Sequence, residues 1–206
     1  MSSIKVKICG ITDPDTANFA AHAGADYIGL IFHPDSPRNI SEAKAKAIVE
    51  SIENTSTKAV AVCVNQTAEQ IQQIIATTGI TTIQLHGKTS RAQQAELAAQ
   101  IHRIYVVDVD ETGNYHLDDA KLDPKRDLLL FDYKNPGQGT SFNHHNFSYP
   151  GEFNYLIAGG LTVDNVIECI KTTNPNGVDV SSGVEITRGK KNNALIKKFI
   201  ENVKNG

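Results

Sequence analysis

Short apolar runs rich in β-branched residues alternate with stretches of helical spacing along the chain, and no block of consecutive strands interrupts them. Eight such runs stand out: Lys5–Ile11, Tyr27–Phe32, Ala59–Val64, Thr82–His86, Ile104–Val109, Leu128–Tyr133, Tyr155–Gly160 and Gly177–Ser182. Strands that read as nearly continuous apolar segments are those covered by helices on their faces, which makes a parallel sheet the expected arrangement. The intervening segments carry the matching signals. Asp15–Ala23 is alanine-rich, Ser41–Ile52 opens on an N-capping serine, and Thr67–Thr78 sets Ile71, Ile74 and Ile75 on one face. Ser90–Ile101 is rich in Ala and Gln, Thr162–Lys171 carries Val163, Val166, Ile167 and Ile170, and Asn193–Val203 carries an apolar stripe from Leu195 to Val203. The fifth and sixth connections, 114–122 and 144–147, show little helical spacing.

Eight strand–helix units in 206 residues, undivided by any Pro/Ser-rich linker or low-complexity tract, predict an α/β fold: one (β/α)8 TIM barrel spanning residues 1–206. A doubly wound open sheet is the competing arrangement, because periodicity does not reveal whether a sheet closes. A net charge of −3, with no Lys/Arg cluster interleaved with aromatics, offers no footprint for nucleic acid. No apolar run approaches the roughly 20 residues of a membrane helix, and the opening MSSIKVKICG enters a strand pattern without a signal-peptide core. Three well-separated cysteines, Cys9, Cys63 and Cys169, suit neither a disulfide framework nor a zinc site and fit free thiols in a reducing cytoplasm.

Strand alternation assigns sides. In the first strand Val6 and Ile8 should pack under the helices while Lys7 and Cys9 point into the barrel; in the sixth, Asp132 shares a face with Leu128 and Leu130. Cys9, His86, Asp132 and Ser181 are all expected near C-terminal strand ends facing inward, the rim where barrel enzymes keep their chemistry. Each residue alone has an ordinary structural explanation: a core thiol, a turn histidine, a loop-capping aspartate. Cys63 should also point inward but has no polar companion in its strand, and Cys169 lies in a helix. His144–His145 and Lys190–Lys191 fit solvated surface. Glycine clusters follow three strands: Gly137–Thr140 after the sixth, Gly159–Gly160 ending the seventh, and Ser181–Ser182–Gly183 ending the eighth. Such loops let backbone N–H groups approach an anion, and barrels place phosphates after strands seven and eight. No G-K-[ST] follows these clusters and the GxGxxG fingerprint is absent, so a nucleotide loop is not expected.

Several words resemble one family. Lys7-Ile8-Cys9-Gly10-Ile11-Thr12, the loop from Phe32 to Arg38, Gln84-Leu85-His86-Gly87, Phe131-Asp132 with the following glycine loop, Ala158-Gly159-Gly160-Leu161 and the run from Val178 to Glu185 are similar, in order, to phosphoribosylanthranilate isomerases. That resemblance implies an Amadori rearrangement of N-(5-phosphoribosyl)anthranilate in tryptophan biosynthesis, with a phosphosugar substrate and no cofactor or metal. It implies Cys9 as general base, Asp132 as general acid, and Arg38 as the clamp on the anthranilate carboxylate. By the same resemblance His86 and Gly139 would be further substrate contacts, and Gly160, Ser181, Ser182 and Gly183 would be phosphate contacts. The sequence departs from the pattern at Lys88–Ser90, at 140–147, at Arg188 and at Cys63, none of which touches the acid, base or clamp. Other phosphosugar barrels fit less well. The catalytic lysine/glutamate set and longer N-terminal segment of indole-glycerol-phosphate synthases are missing, as are the duplicated halves and paired aspartates of the histidine-pathway isomerases. A non-catalytic phosphate-ligand sensor on the same barrel is the reading from a different class, and a turnover assay separates it.

Overall fold

The computed structural model describes residues 4–117, 121–133 and 143–206. Eight parallel strands close into a barrel in sequence order: β1 (Lys5–Cys9), β2 (Tyr27–Ile31), β3 (Lys58–Cys63), β4 (Thr82–Leu85), β5 (His102–Val109), β6 (Asp127–Tyr133), β7 (Tyr155–Ile157) and β8 (Gly177–Val180). Closure is made by β1 against β8, where Lys7 pairs in register with Asp179. The open-sheet alternative is thereby excluded. A two-stranded antiparallel hairpin, β9 (Glu185–Thr187) and β10 (Lys190–Lys191), follows β8.

Among the described residues six α-helices pack outside: α1 (Pro14–Ala23), α2 (Glu42–Ser51), α3 (Ala68–Thr78), α4 (Lys88–Ala92), α5 (Val166–Thr173) and α6 (Asn193–Asn205). Their starts follow local chemistry. The Asp13 carboxylate accepts from the Thr16 N–H with Pro14 in the first turn, Ser41 accepts from Lys44, and Thr67 with Gln70 forms a reciprocal capping box. The expected helix over 90–101 is only five residues long. Gly87 gives it no side-chain cap, and two arginines capture the carbonyls that a longer helix would have used. Arg126 donates to the Leu97, Ala98 and Ile101 carbonyls and Arg103 to that of Gln94, while Leu97 and Ile101 still reach the core.

No described residue between β5 and β6 or between β6 and β7 forms an α-helix. That arc is covered by rings instead: Phe131 lies 4.8 Å from Tyr115 and 4.9 Å from Phe147, both edge-on, and 5.6 Å from Tyr155. Edge-to-face clusters of this kind bury large apolar area without backbone groups to satisfy.

Two apolar layers result. The larger lies between sheet and helices and includes Val6, Ile8, Ile28, Ile83, Phe131 and Val178. The smaller fills the barrel with Val60, Ile104, Val106, Leu130, Leu156 and Ala158. Lys7 is fully buried within the barrel, its ammonium 3.0 Å from the Asp179 carboxylate. Val6 and Ile8 face outward as alternation requires. Cys63 does not face inward: Val62 pairs with Gln84 on the inner face, and Cys63 pairs with Leu85 in the outer layer. In an all-apolar strand nothing marks the parity, which is set by the neighbour's register.

Candidate active site

A cavity of about 350 Å³ opens at the C-terminal end of the barrel, a size suited to a drug-sized metabolite. Cys9, Arg38, His86, Asp132, Gly160, Ser181 and Ser182 all border it, so seven residues from six different loops and strand ends meet at one place. Gly183 is not on the wall. It packs against the preceding loop, where a Cβ would come within 1.9 Å of the Leu161 carbonyl oxygen, so only glycine lets the seventh and eighth loops touch. Gly139 and the 137–142 loop lie outside the described residues.

Asp132 is the penultimate residue of β6, its carboxylate accepting from the Tyr133 N–H at 2.9 Å. Burial, reinforced by the negative charge of Asp179, pushes this carboxyl up to about 7, against the pull of Lys7. An acid with that pKa can hold and release a proton near neutrality. His86 is pushed the other way, down to about 4, chiefly by burial. It is therefore neutral, with Nδ1 3.3 Å from the Gln84 amide nitrogen. Gln84 Oε1 is buried with no hydrogen-bond partner among the described residues, an acceptor at the cavity wall.

Cys9 ends β1 and is 7% exposed. Burial drives its thiol above the ordinary range, with Asp179 adding to the effect; Lys7 and Lys191 oppose it without prevailing. The cationic help expected from Lys7 is thus present but insufficient by itself. Gly29, across the register from Cys9, makes room for this cluster: a Cβ there would stand 2.8 Å from Cys9 Sγ and 3.1 Å from Lys7 Nζ. Gly29→Ala should lower kcat by about 10–100-fold through displacement of the thiol, with little change in phosphate affinity. Steady-state kinetics beside inorganic-phosphate inhibition checks it; unchanged kcat would mean the thiol tolerates the shift.

The three thiols differ in access. Cys63 is pushed up to about 12 and Cys169 to about 11 by burial, and both are sealed from solvent. Iodoacetamide should therefore modify Cys9 alone in the folded protein, faster as pH rises through its elevated pKa, and a bound ligand should protect it. Peptide mapping reads the outcome, and inactivation with Cys9 unmodified would contradict it.

Three participants escaped the sequence reading. Asp179 pairs with Lys7; Glu185 takes Arg38 in a two-point ion pair; and Lys191, expected on the surface, is buried to 2% and donates to Glu185 and to both oxygens of Ser181. Ser181 in turn donates its hydroxyl to the Cys9 carbonyl at 3.1 Å. Lys191 is buried because the β9–β10 hairpin folds it back beneath the rim, which a Lys–Lys pair in sequence does not announce. Among the described residues no group of His, Cys, Asp or Glu could hold a metal ion.

A closed parallel barrel whose rim gathers an acid, a thiol, a guanidinium and glycine-rich loops defines an enzyme for a small anionic substrate. The sequence profile of N-(5'-phosphoribosyl)anthranilate (PRA) isomerases matches residues 6–202, and the chain belongs to that family. It is 40% identical over 202 residues to the N-(5'-phosphoribosyl)anthranilate isomerase of Chlamydia felis, covering 98% of this chain and 97% of that one. To the enzyme of the same name from Neisseria meningitidis it is 38% identical, covering 97% and 96%. The fold superimposes on the crystal structure of phosphoribosyl anthranilate isomerase from Thermotoga maritima with TM-score 0.82 at 33% identity, covering 98% of this chain and all of that one. It also superimposes, with TM-score 0.77 at 30% identity and the same coverage, on a phosphoribosyl anthranilate isomerase in complex with reduced 1-(o-carboxyphenylamino)-1-deoxyribulose 5-phosphate.

Proposed function

We propose that Cys9, Asp132 and Arg38 carry out the family's reaction in this chain as base, acid and carboxylate clamp. The reaction is the isomerisation of N-(5'-phosphoribosyl)anthranilate to 1-(2-carboxyphenylamino)-1-deoxyribulose 5-phosphate in tryptophan biosynthesis. The observation that carries the assignment is the meeting of Asp132, held near pH 7, and Cys9 on one cavity wall with Arg38.

Asp132 gives its proton to the furanose ring oxygen as the bond from that oxygen to the anomeric carbon breaks, leaving an iminium. The positive nitrogen makes the adjacent C2 proton acidic. Cys9 takes that proton, and the electron pair of the C–H bond moves to form an enolamine, which tautomerises to the ketone by protonation at C1 and loss of the enol proton. Burial favours the protonated thiol, so Cys9 acts after releasing its own proton to solvent, and the iminium adds to Lys7 and Lys191 the positive charge that favours the thiolate. Neutral His86 and the buried Gln84 acceptor offer hydrogen bonds to the sugar, and the backbone about Gly160, Ser181 and Ser182, with the loop holding Gly139, takes the phosphate, while Gly183 lets that turn seat against the preceding loop.

One domain spanning residues 1–206 carries all of this. Three free buried thiols fit a cytoplasmic enzyme, and among the described residues no helix is long and apolar enough to cross a membrane. The direct test is turnover of phosphoribosylanthranilate, followed by loss of its fluorescence. A folded protein that binds the substrate without consuming it would support the sensor reading instead.

A further inference from the structure

Arg38 lies at the cavity wall with its guanidinium already engaged. Nε donates to Glu185 Oε1 at 2.6 Å and Nη2 to Oε2 at 2.8 Å, so Glu185 occupies one complete edge of the fork. Oε1 also accepts from Lys191 at 2.8 Å and Oε2 from the Gly189 N–H at 3.1 Å. Four donors fill the acceptor capacity of a carboxylate. With its side chain only 4% exposed, Glu185 has neither a free lone pair nor the solvent access to swing into the cavity. The arginine's stem is fixed as well: it crosses Gly10 so closely that a Cβ there would stand 2.4 Å from Arg38 Cδ.

Of the five N–H bonds of the guanidinium, the two pointing at Glu185 are spent, leaving the Nη1/Nη2 end without a partner among the described residues. That end is itself a two-point site for a planar carboxylate. Charge permits it, because the buried trio of Arg38, Lys191 and Glu185 holds two cations against one anion and keeps a net positive charge for an incoming one.

We infer that Glu185 is a positioning residue for carboxylate recognition: by holding one edge of Arg38, it aims the other edge at the aromatic carboxylate of the substrate. Lys191 extends the unit, since its ammonium binds Ser181 as well as Glu185, and the Ser181 hydroxyl binds the Cys9 carbonyl. One chain of contacts thereby ties the carboxylate clamp to the strand end that carries the base. The inference rests on the reading that Arg38 meets the substrate carboxylate.

The test compares two ligands, reduced 1-(o-carboxyphenylamino)-1-deoxyribulose 5-phosphate and its counterpart lacking the ring carboxyl, by titration calorimetry. Glu185→Gln, which is isosteric, should weaken the first ligand about tenfold or more while leaving the second nearly unchanged, because a misaimed fork loses a charge-assisted pair and nothing else. Equal weakening of both ligands, or of neither, overturns the inference, since a merely structural glutamate would not discriminate between them. Arg38→Met separates the two levels. If Arg38→Met abolishes the preference for the carboxylated ligand and Glu185→Gln retains it, only the role of Glu185 falls. If Arg38→Met leaves the preference intact, the carboxylate clamp falls and the inference with it. Should the glutamine variant not fold, Glu185→Asp is read in the same way: it keeps the charge but is one methylene too short to span both nitrogens.

Discussion

Replacing Asp132 by asparagine should lower kcat at least about 100-fold, leave binding of the reduced product analogue nearly intact, and stabilise the folded protein above neutral pH. The amide keeps the size and polarity of the carboxyl but has no proton to give the ring oxygen. With the acid poised at about 7 and the thiol raised above its ordinary range, kcat/KM of the parent enzyme should climb with pH up to about 7 and level off beyond it, because further gain of thiolate is offset by loss of the acid's proton. The stability effect follows from linkage. Folding raises this carboxyl from an unfolded value near 3.9, so the native state binds the proton more tightly. The resulting stabilisation is complete below pH about 4 and lost as pH rises through about 7. Above that, the parent protein carries a partly buried charge costing about 2–4 kcal/mol, nearer the lower figure because the side chain keeps some solvent contact. The asparagine variant carries no such cost, so its Tm advantage should widen between pH 5 and 8. Retention of more than about a tenth of kcat would rule out a general acid of ordinary strength, and a constant Tm difference would mean that the carboxyl is not desolvated.

Cys9→Ala should reduce turnover by about 10²–10⁴-fold and leave ligand affinity largely unchanged, since abstraction of the C2 proton loses its base while the carboxylate and phosphate contacts remain. The void is small, and Gly29 and Lys7 already crowd the site, so the variant should fold. A fully active Cys9→Ala enzyme would remove the thiol from the mechanism. Asp132→Asn and Cys9→Ala together should cost less than the product of their separate effects, because ring opening and proton abstraction serve one sequence of steps.

The eight strands were legible because each is a compact apolar run bounded by helix-starting chemistry, and the inward facing of Cys9 and Asp132 followed from alternation in strands with mixed polarity. Alternation failed at Cys63, whose neighbours Val62 and Val64 are equally apolar and leave the parity to the register with β4. The truncated α4 was hidden for a different reason: its competitors, Arg103 and Arg126, lie beyond the helix in sequence and act only once β5 and β6 are paired. The site shows the same division. Residues at strand ends could be placed one by one, whereas the raised pKa of Asp132 depends on its burial in the closed barrel and on Asp179 nearby, and the burial of Lys191 depends on a hairpin. Pairings over 147 and 172 residues, Arg38 with Glu185 and Lys7 with Asp179, leave no local mark.

The contact between Gly29 and the Cys9 thiol also constrains how such a protein can change over generations. A side chain at position 29 would occupy the volume that Sγ and the Lys7 ammonium already fill, so substitutions there are closed while position 9 holds a thiol. A bulkier base at position 9 would in turn press on a strand neighbour that has no side chain to move aside. The two positions form an epistatic pair: what either tolerates depends on the volume the other occupies, so a side chain at 29 becomes admissible only where position 9 gives up space. Saturation libraries at 9 and 29 should therefore yield active doubles that are not predictable from the singles.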